Sequence, residues 1–155
     1  MARFVLSLAF IIGLASAAGA AEQGEVLRTP SCGCCHAWAE HMKANGFNLT
    51  LKDVPRSELN AQKVQLGVGG KYASCHTAKL GGYVIEGHVP AADVRRLLES
   101  KPDAVGLSVP GMPVGSPGME AGNEQEAYEV LLVKKDGSSE VFARHGANAP
   151  SSTAD

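Results

Sequence analysis

Three of the four cysteines in the chain lie next to one another, in the sequence Cys32-Gly33-Cys34-Cys35. This short segment contains a C-x-x-C pair, a C-x-C pair and a vicinal pair at the same time. A helix is predicted to begin here, and the free N–H groups and dipole of a helix N-terminus favour thiolate over thiol. Three thiolates are one more than a redox dithiol needs, whereas soft sulfur ligands select Cu(I) or zinc. The motif therefore predicts a site for a soft metal ion.

The fourth cysteine is followed by a histidine, in a loop predicted over residues 67–82. In an α/β fold with C-x-x-C at the start of its first helix, the loop before the third core strand lies against that motif. We therefore expect Cys75 and His76 to approach the three clustered cysteines and to complete a Cys₄ or Cys₃His site. Zinc is the weaker choice, because structural zinc sites pair two ligand modules and the sequence has one C-x-x-C. Two structural disulfides, one of them from Cys75, are the alternative.

Two methionines are further candidate ligands. Met112 and Met119 each follow a Pro-Gly pair in an apolar loop, and a thioether is a soft ligand that suits Cu(I). Packing of either side chain on the domain surface is an equal alternative. Met42 lies four residues after Trp38 on the first predicted helix, a spacing that indicates core packing instead.

The histidines divide into candidate ligands and surface residues. His88 precedes a predicted helix, and either metal ligation or a structural hydrogen bond would explain it. His36 adjoins Cys35, where it could tune the thiolate or bind metal. His41 and His145 are predicted to be surface residues.

The predicted elements that would position these residues alternate between strands and helices. They are a strand over Glu25–Thr29, a helix over 31–45, a strand over Phe47–Val54, a helix over Pro55–Leu66, a strand over Tyr83–Ile85 and a helix over Pro90–Lys101. An ordered loop follows over Pro102–Gly122, and then a hairpin of Tyr128–Lys134 and Ser139–Arg144 around an Asp-Gly turn. A β-α-β-α-β core with C-x-x-C at its first helix predicts a thioredoxin-like α/β fold.

The two ends of the chain carry different signals. Residues 1–20 have a basic start, a short apolar run and a small-residue cleavage site, which predicts a signal peptide. We expect one metal-binding domain over residues 21–145, a disordered tail over 146–155, and a periplasmic location with no membrane attachment after cleavage. A net charge of −2 and a pI of about 6.2 argue against nucleic acid as a partner. No serine-nucleophile or phosphate-loop motif is present in the sequence.

Four blocks of the sequence together resemble the CopG-type periplasmic copper proteins, a family with a C-x-C-C motif. The blocks are Cys32-Gly33-Cys34-Cys35, Cys75-His76-Thr77, Glu86-Gly87-His88-Val89-Pro90-Ala91, and Gly106–Pro113 with Gly115–Glu120. The resemblance extends from about Val26 to Arg144. It implies a thioredoxin-like domain of copper or silver resistance that binds several Cu(I) ions through Cys32, Cys34, Cys35 and Cys75, with His76 close by.

The sequence is therefore compatible with two functions. The first is an exported protein that holds copper in a cysteine cluster, with copper redox chemistry and a copper oxidoreductase activity left open, and with efflux or chaperone proteins as partners. The second is a thiol–disulfide oxidoreductase using Cys32 and Cys35. No proline precedes Tyr83, where we expect the cis-proline of thioredoxins, and this weighs against the second function.

Overall fold

The computed structural model describes residues 22–146, which form seven strands, three α-helices and one 3₁₀ turn. The strands are β1 (Gln23–Arg28), β2 (Asn48–Asp53), β3 (Thr77–Leu80), β4 (Tyr83–Glu86), β5 (Gly106–Ser108), β6 (Tyr128–Val133) and β7 (Ser139–His145). The helices are α1 (Gly33–Ala44), α2 (Arg56–Gln65) and α3 (Ala91–Ser100), and the 3₁₀ turn is Gly70–Tyr72. The predicted signal peptide and residues 147–155 of the predicted tail lie outside the described residues.

All seven strands belong to one sheet in the order β2-β1-β3-β4-β5-β6-β7. β1 pairs with β2 in parallel and with β3 antiparallel, and β4 pairs antiparallel with β3 and in parallel with β5. The β6–β7 hairpin adds two antiparallel strands at the far edge. The predicted α/β class and the predicted parallel element are confirmed.

Two strands lie in segments that the sequence predicts as loops. β3 occupies the end of the 67–82 segment, where Ala78 and Leu80 are buried and Lys79 is exposed. Gly81 and Gly82, both with positive φ, form the two-residue turn that pairs β3 with β4. A Gly-Gly pair before a strand signals a hairpin, and the loop prediction missed it. β5 is a second, three-residue strand inside the predicted Pro102–Gly122 loop.

Helix α1 turns its buried face towards the sheet. Trp38 and Met42 are both fully buried in the main core, which confirms the packing prediction for Met42. The indole Nε1 of Trp38 donates a hydrogen bond to the Val89 carbonyl at 2.9 Å, which links α1 to the segment before α3. This hydrogen bond fixes the middle of α1, about one turn after the cysteine motif.

Membrane-spanning helices are absent from the part of the chain that the structure describes: no helix there has the length and apolar character needed to cross a bilayer.

Candidate metal centre

The cysteine motif lies at the start of α1. Cys32 is the N-cap residue in extended backbone conformation, and its carbonyl accepts a hydrogen bond from the Arg28 guanidinium at 3.1 Å. Cys35, one turn along, is buried and forms a disulfide with Cys32, with the two Cα atoms 5.3 Å apart. This separation lies within the ordinary range for a disulfide. Cys34, between them, is a free thiol.

The fourth cysteine reaches this motif from the opposite side. Cys75 lies two residues before β3, and its Sγ is 3.8 Å from the Sγ of Cys34, which in turn is 3.6 Å from the Sγ of Cys32. All four sulfurs lie within 4.8 Å of one another. The strand that Cys75 precedes is β3 and not the predicted Tyr83–Ile85, but the expected approach of the two segments is present. The structure contains one disulfide, with Cys75 free, where the alternative expected two.

Cys75 also belongs to a second donor group, with His76 and His88. Its Sγ is 3.2 Å from Nδ1 of His76 and 3.0 Å from Nε2 of His88. Nδ1 of His88 lies 2.8 Å from the Pro117 carbonyl, which can only accept, so Nδ1 carries the proton and Nε2 presents a lone pair to the sulfur. This arrangement, in which the second ring nitrogen is held by a carbonyl, is the one found for metal-binding histidines.

His76 carries an unusual polar atom. Its side chain is fully buried, its ring centroid is 4.4 Å from that of Trp38, and its Nε2 has no hydrogen-bond partner among the described residues. Burial lowers the pKa of His76 well below its usual value, and the neighbouring His88 and Lys63 lower it further. Burial also lowers the pKa of His88. Both rings are therefore neutral, which is the form that binds metal.

The surroundings of Cys75 favour the thiol over the thiolate. Burial, together with the charge and hydrogen bond of Cys34, raises the pKa of the Cys75 thiol to about 12. A metal ion bound here would have to displace this proton, as thiolate is the ligating form. Once the Cys32–Cys35 disulfide is reduced, four sulfurs and two neutral imidazoles converge on one region, and this donor set fits a soft metal ion.

The remaining predicted ligands, Met112, Met119 and His36, have different surroundings. Met112 is 51 % exposed and lies on the wall of a cleft of about 360 Å³ that Cys32, Cys34 and Cys75 also line. Met119 is half-buried, and its backbone hydrogen bonds close a turn with Gly115 and Ser116. His36 is exposed and does not belong to either of the donor groups formed by cysteine and histidine among residues 22–146.

Two histidines predicted to lie on the surface also make structural contacts. Nε2 of His41 accepts a hydrogen bond from the Ala91 N–H at 3.2 Å, at the first turn of α3. His145 Nε2 lies 2.6 Å from the Asp93 carboxylate, and its ring stacks on Tyr128. Both side chains are half-exposed, in agreement with the surface prediction, but their contacts with α3 were not predicted, because the sequence does not reveal the position of that helix.

A buried ion pair below Cys75 has no counterpart among the predicted site residues. Lys63 on α2 and Glu86 on β4 are 3 % and 0 % exposed, with Nζ and Oε1 2.5 Å apart. Burial raises the pKa of the Glu86 carboxyl, and Lys63 opposes this rise. The signal in the sequence is a glutamate at the end of an apolar strand, two residues before His88.

Over most of its length, the chain is similar to known proteins. Residues 72–119, which include Cys75, His76, His88 and Met112, match a family described as a protein of unknown function, DUF411. No curated protein of significant similarity was found. Two solved structures titled copper resistance protein CopG, Form 2 and Form 1, are 45 % and 44 % identical to the chain, with TM-scores of 0.75 and 0.74. Each alignment covers 81 % of this chain and 98 % of the other. The chain therefore belongs to the CopG family of copper resistance proteins.

Proposed function

We propose that this chain is an exported protein that binds several Cu(I) ions through its four-sulfur group. The observation that carries the proposal is the placement of all four cysteine sulfurs within 4.8 Å of one another. Thiolates are soft ligands that favour Cu(I), and the two similar solved structures are titled copper resistance proteins.

The two donor groups differ in chemistry and share Cys75. The first consists of sulfur alone, from Cys32, Cys34, Cys35 and Cys75. The second adds two imidazoles, and a His₂Cys set accommodates both Cu(I) and Cu(II). A bridging Cys75 thiolate would connect the two groups, which supports redox cycling of copper at the histidine end.

Copper loading of the sulfur group requires reduction of the disulfide first. Two electrons and two protons convert Cys32 and Cys35 to thiols, and the thiols then release their protons as they bind copper. Until that reduction, neither Cys32 nor Cys35 can act as a thiolate ligand. The exposed Met112 thioether lies in the wall of the same cleft, which supports a role as an outer ligand for copper that arrives or leaves.

The cellular setting belongs to the same proposal. A signal peptide at residues 1–20 would deliver one domain, residues 21–145, to the periplasm. The order β2-β1-β3-β4, with α1 and α2 as connections and α3 after β4, supports the thioredoxin-like interpretation. Efflux or chaperone proteins are the partners that would exchange copper at the cleft.

Anaerobic titration of the reduced protein with Cu(I), followed by metal analysis, tests the cluster. We expect more than one copper per chain and a lower stoichiometry for Cys34→Ser, because Cys34 lies between Cys32 and Cys75. His36→Asn is the matched control, since His36 is exposed on the same helix and outside both donor groups. A single copper per chain that is unaffected by Cys34→Ser would contradict the proposal.

The observed disulfide favours a second candidate, a thiol–disulfide oxidoreductase that uses Cys32 and Cys35. This function predicts that the metal-free protein reduces insulin in the presence of dithiothreitol, and that the activity survives Cys34→Ser and Cys75→Ser. Loss of activity in both variants, together with multiple copper binding in the wild type, would decide for the copper function.

A further inference from the structure

We propose that Glu86 and Lys63 are positioning residues that hold Cys75 and His76 against His88, and so create the nitrogen-containing half of the metal centre. The inference rests on the proposed copper function. It concerns a buried ion pair that lies outside both donor groups.

The carboxylate of Glu86 contacts residues on both sides of Cys75-His76. Oε1 accepts a hydrogen bond from the Ser74 N–H at 2.6 Å, and Oε2 accepts one from the Thr77 hydroxyl, also at 2.6 Å. Ser74 and Thr77 immediately flank the two ligand residues. A single side chain therefore fixes both ends of this four-residue segment.

The same glutamate belongs to the strand that leads to His88. Its own carbonyl accepts a hydrogen bond from the Val109 N–H at 3.0 Å, and the next residue, Gly87, donates its N–H to the His76 carbonyl at 3.1 Å. A Cβ at position 87 would lie 2.4 Å from Oγ of Ser74. The two ligand-bearing segments are therefore packed together at Glu86, which sets the distances from Cys75 to both imidazoles.

Lys63 completes the arrangement from α2. Its Nζ donates to Glu86 Oε1 at 2.5 Å and to the Thr77 hydroxyl at 2.9 Å. Stability alone is a weak reason for such a pair, because a buried ion pair can often be replaced by apolar residues without loss of stability. A role in fixing geometry explains why two charges lie at 3 % and 0 % exposure directly below a ligand segment.

The test compares reduced, Cu(I)-loaded wild type with the double variant Lys63→Met/Glu86→Gln. The double variant removes both charges together, so neither is left buried without a partner. Copper K-edge absorption reports nitrogen in the copper coordination shell, chelator competition reports affinity, and thermal unfolding reports stability. Glu129→Gln is the control, because it breaks an exposed ion pair on the distant hairpin.

We expect the double variant to retain sulfur coordination but to lose nitrogen coordination, with an affinity for the corresponding copper about 10- to 100-fold lower. Thr77→Val, which keeps both charges and removes the hydroxyl between them, should show a smaller loss of the same kind; it is the variant to use if the double variant does not fold. Unchanged nitrogen coordination and affinity in the folded variants would overturn the proposal, even if the melting temperature fell. If copper in the wild type is bound by sulfur alone, the positioning proposal is overturned but the proposed copper function stands. If the wild type binds no copper, both proposals are overturned.

Discussion

Gly118 lies directly against the backbone of Trp38. A Cβ at position 118 would be 2.7 Å from the Trp38 nitrogen and 2.8 Å from the Cys34 carbonyl oxygen, and Gly118 has φ of +85°. The preceding residue, Pro117, provides the carbonyl that holds Nδ1 of His88. Close approach of this loop to α1 therefore sets the orientation of a candidate ligand.

Gly118→Ala should displace the loop from α1 and weaken the hydrogen bond to His88. We expect a loss of about 1–3 kcal/mol of unfolding free energy from the clash, in addition to the cost of the left-handed conformation. Urea unfolding measures this loss. Gly122→Ala is the matched control, because Gly122 also has positive φ but no atom lies within 4 Å of its would-be Cβ. Equal losses in the two variants would show that the contact with α1 is unimportant.

Cys75 should react slowly with iodoacetamide in the disulfide form of the protein. Its pKa of about 12 keeps it a thiol at neutral pH, and the thiolate is the reactive species. In Cys34→Ser we expect faster alkylation of Cys75 at the same pH, because the charge and hydrogen bond of Cys34 contribute to the raised pKa, after burial. Mass spectrometry of the alkylated peptide against time gives the rate. An unchanged rate in Cys34→Ser would contradict the assigned contribution of Cys34.

The fold could be predicted from sequence where local signals were strong. The boundaries of α1 and of the β6–β7 hairpin agree within about two residues with those predicted. β3 was missed because Thr77–Leu80 is only four residues long and the Gly81-Gly82 turn that pairs it with β4 was interpreted as part of a loop, while its other partner, β1, lies far away in sequence. Short strands of this kind take their structure from their partners more than from local propensity.

The cysteines of the candidate site could be predicted from the sequence, but the polar residues around them could be predicted only in part. C-x-C-C at a helix start identified the cysteine motif, and topology brought Cys75 to it. Nothing local could reveal that Lys63, on a weakly amphipathic helix, is buried against Glu86. Such pairs depend on how two elements pack in the tertiary structure, and the hydrophobic periodicity of each element does not predict that packing.

The hydrogen bond between His145 and Asp93 should stabilise the attachment of the C-terminal hairpin to α3. Asp93 is 6 % exposed and also accepts a hydrogen bond from Arg96 at 3.1 Å, so removing His145 leaves a buried carboxylate with fewer partners. We expect His145→Ala to lower the unfolding free energy by about 1–3 kcal/mol. Arg144→Ala, which breaks the exposed pair with Glu129, should cost less than about 1 kcal/mol. The same loss in both variants would contradict a specific role for His145.

The metal-free protein should lose stability as pH falls below 6.5, partly through His76. The pKa of His76 in the folded chain lies well below its ordinary 6.5, so in that window the unfolded chain binds a proton that the folded chain does not. By linkage, lowering the pH by one unit in this window costs up to about 1.4 kcal/mol of unfolding free energy for this residue, and the stability is regained above pH 6.5.

Urea unfolding at about pH 7.5 and about pH 5.5 measures the loss of stability. His76→Gln should lose less stability over this interval than the wild type, even if it is less stable at the higher pH. Burial raises the pKa of Glu86 in both chains, so its contribution largely cancels in the comparison. Equal losses in the two chains would mean that His76 becomes protonated as readily in the folded protein as in the unfolded one, which its burial against Trp38 argues against.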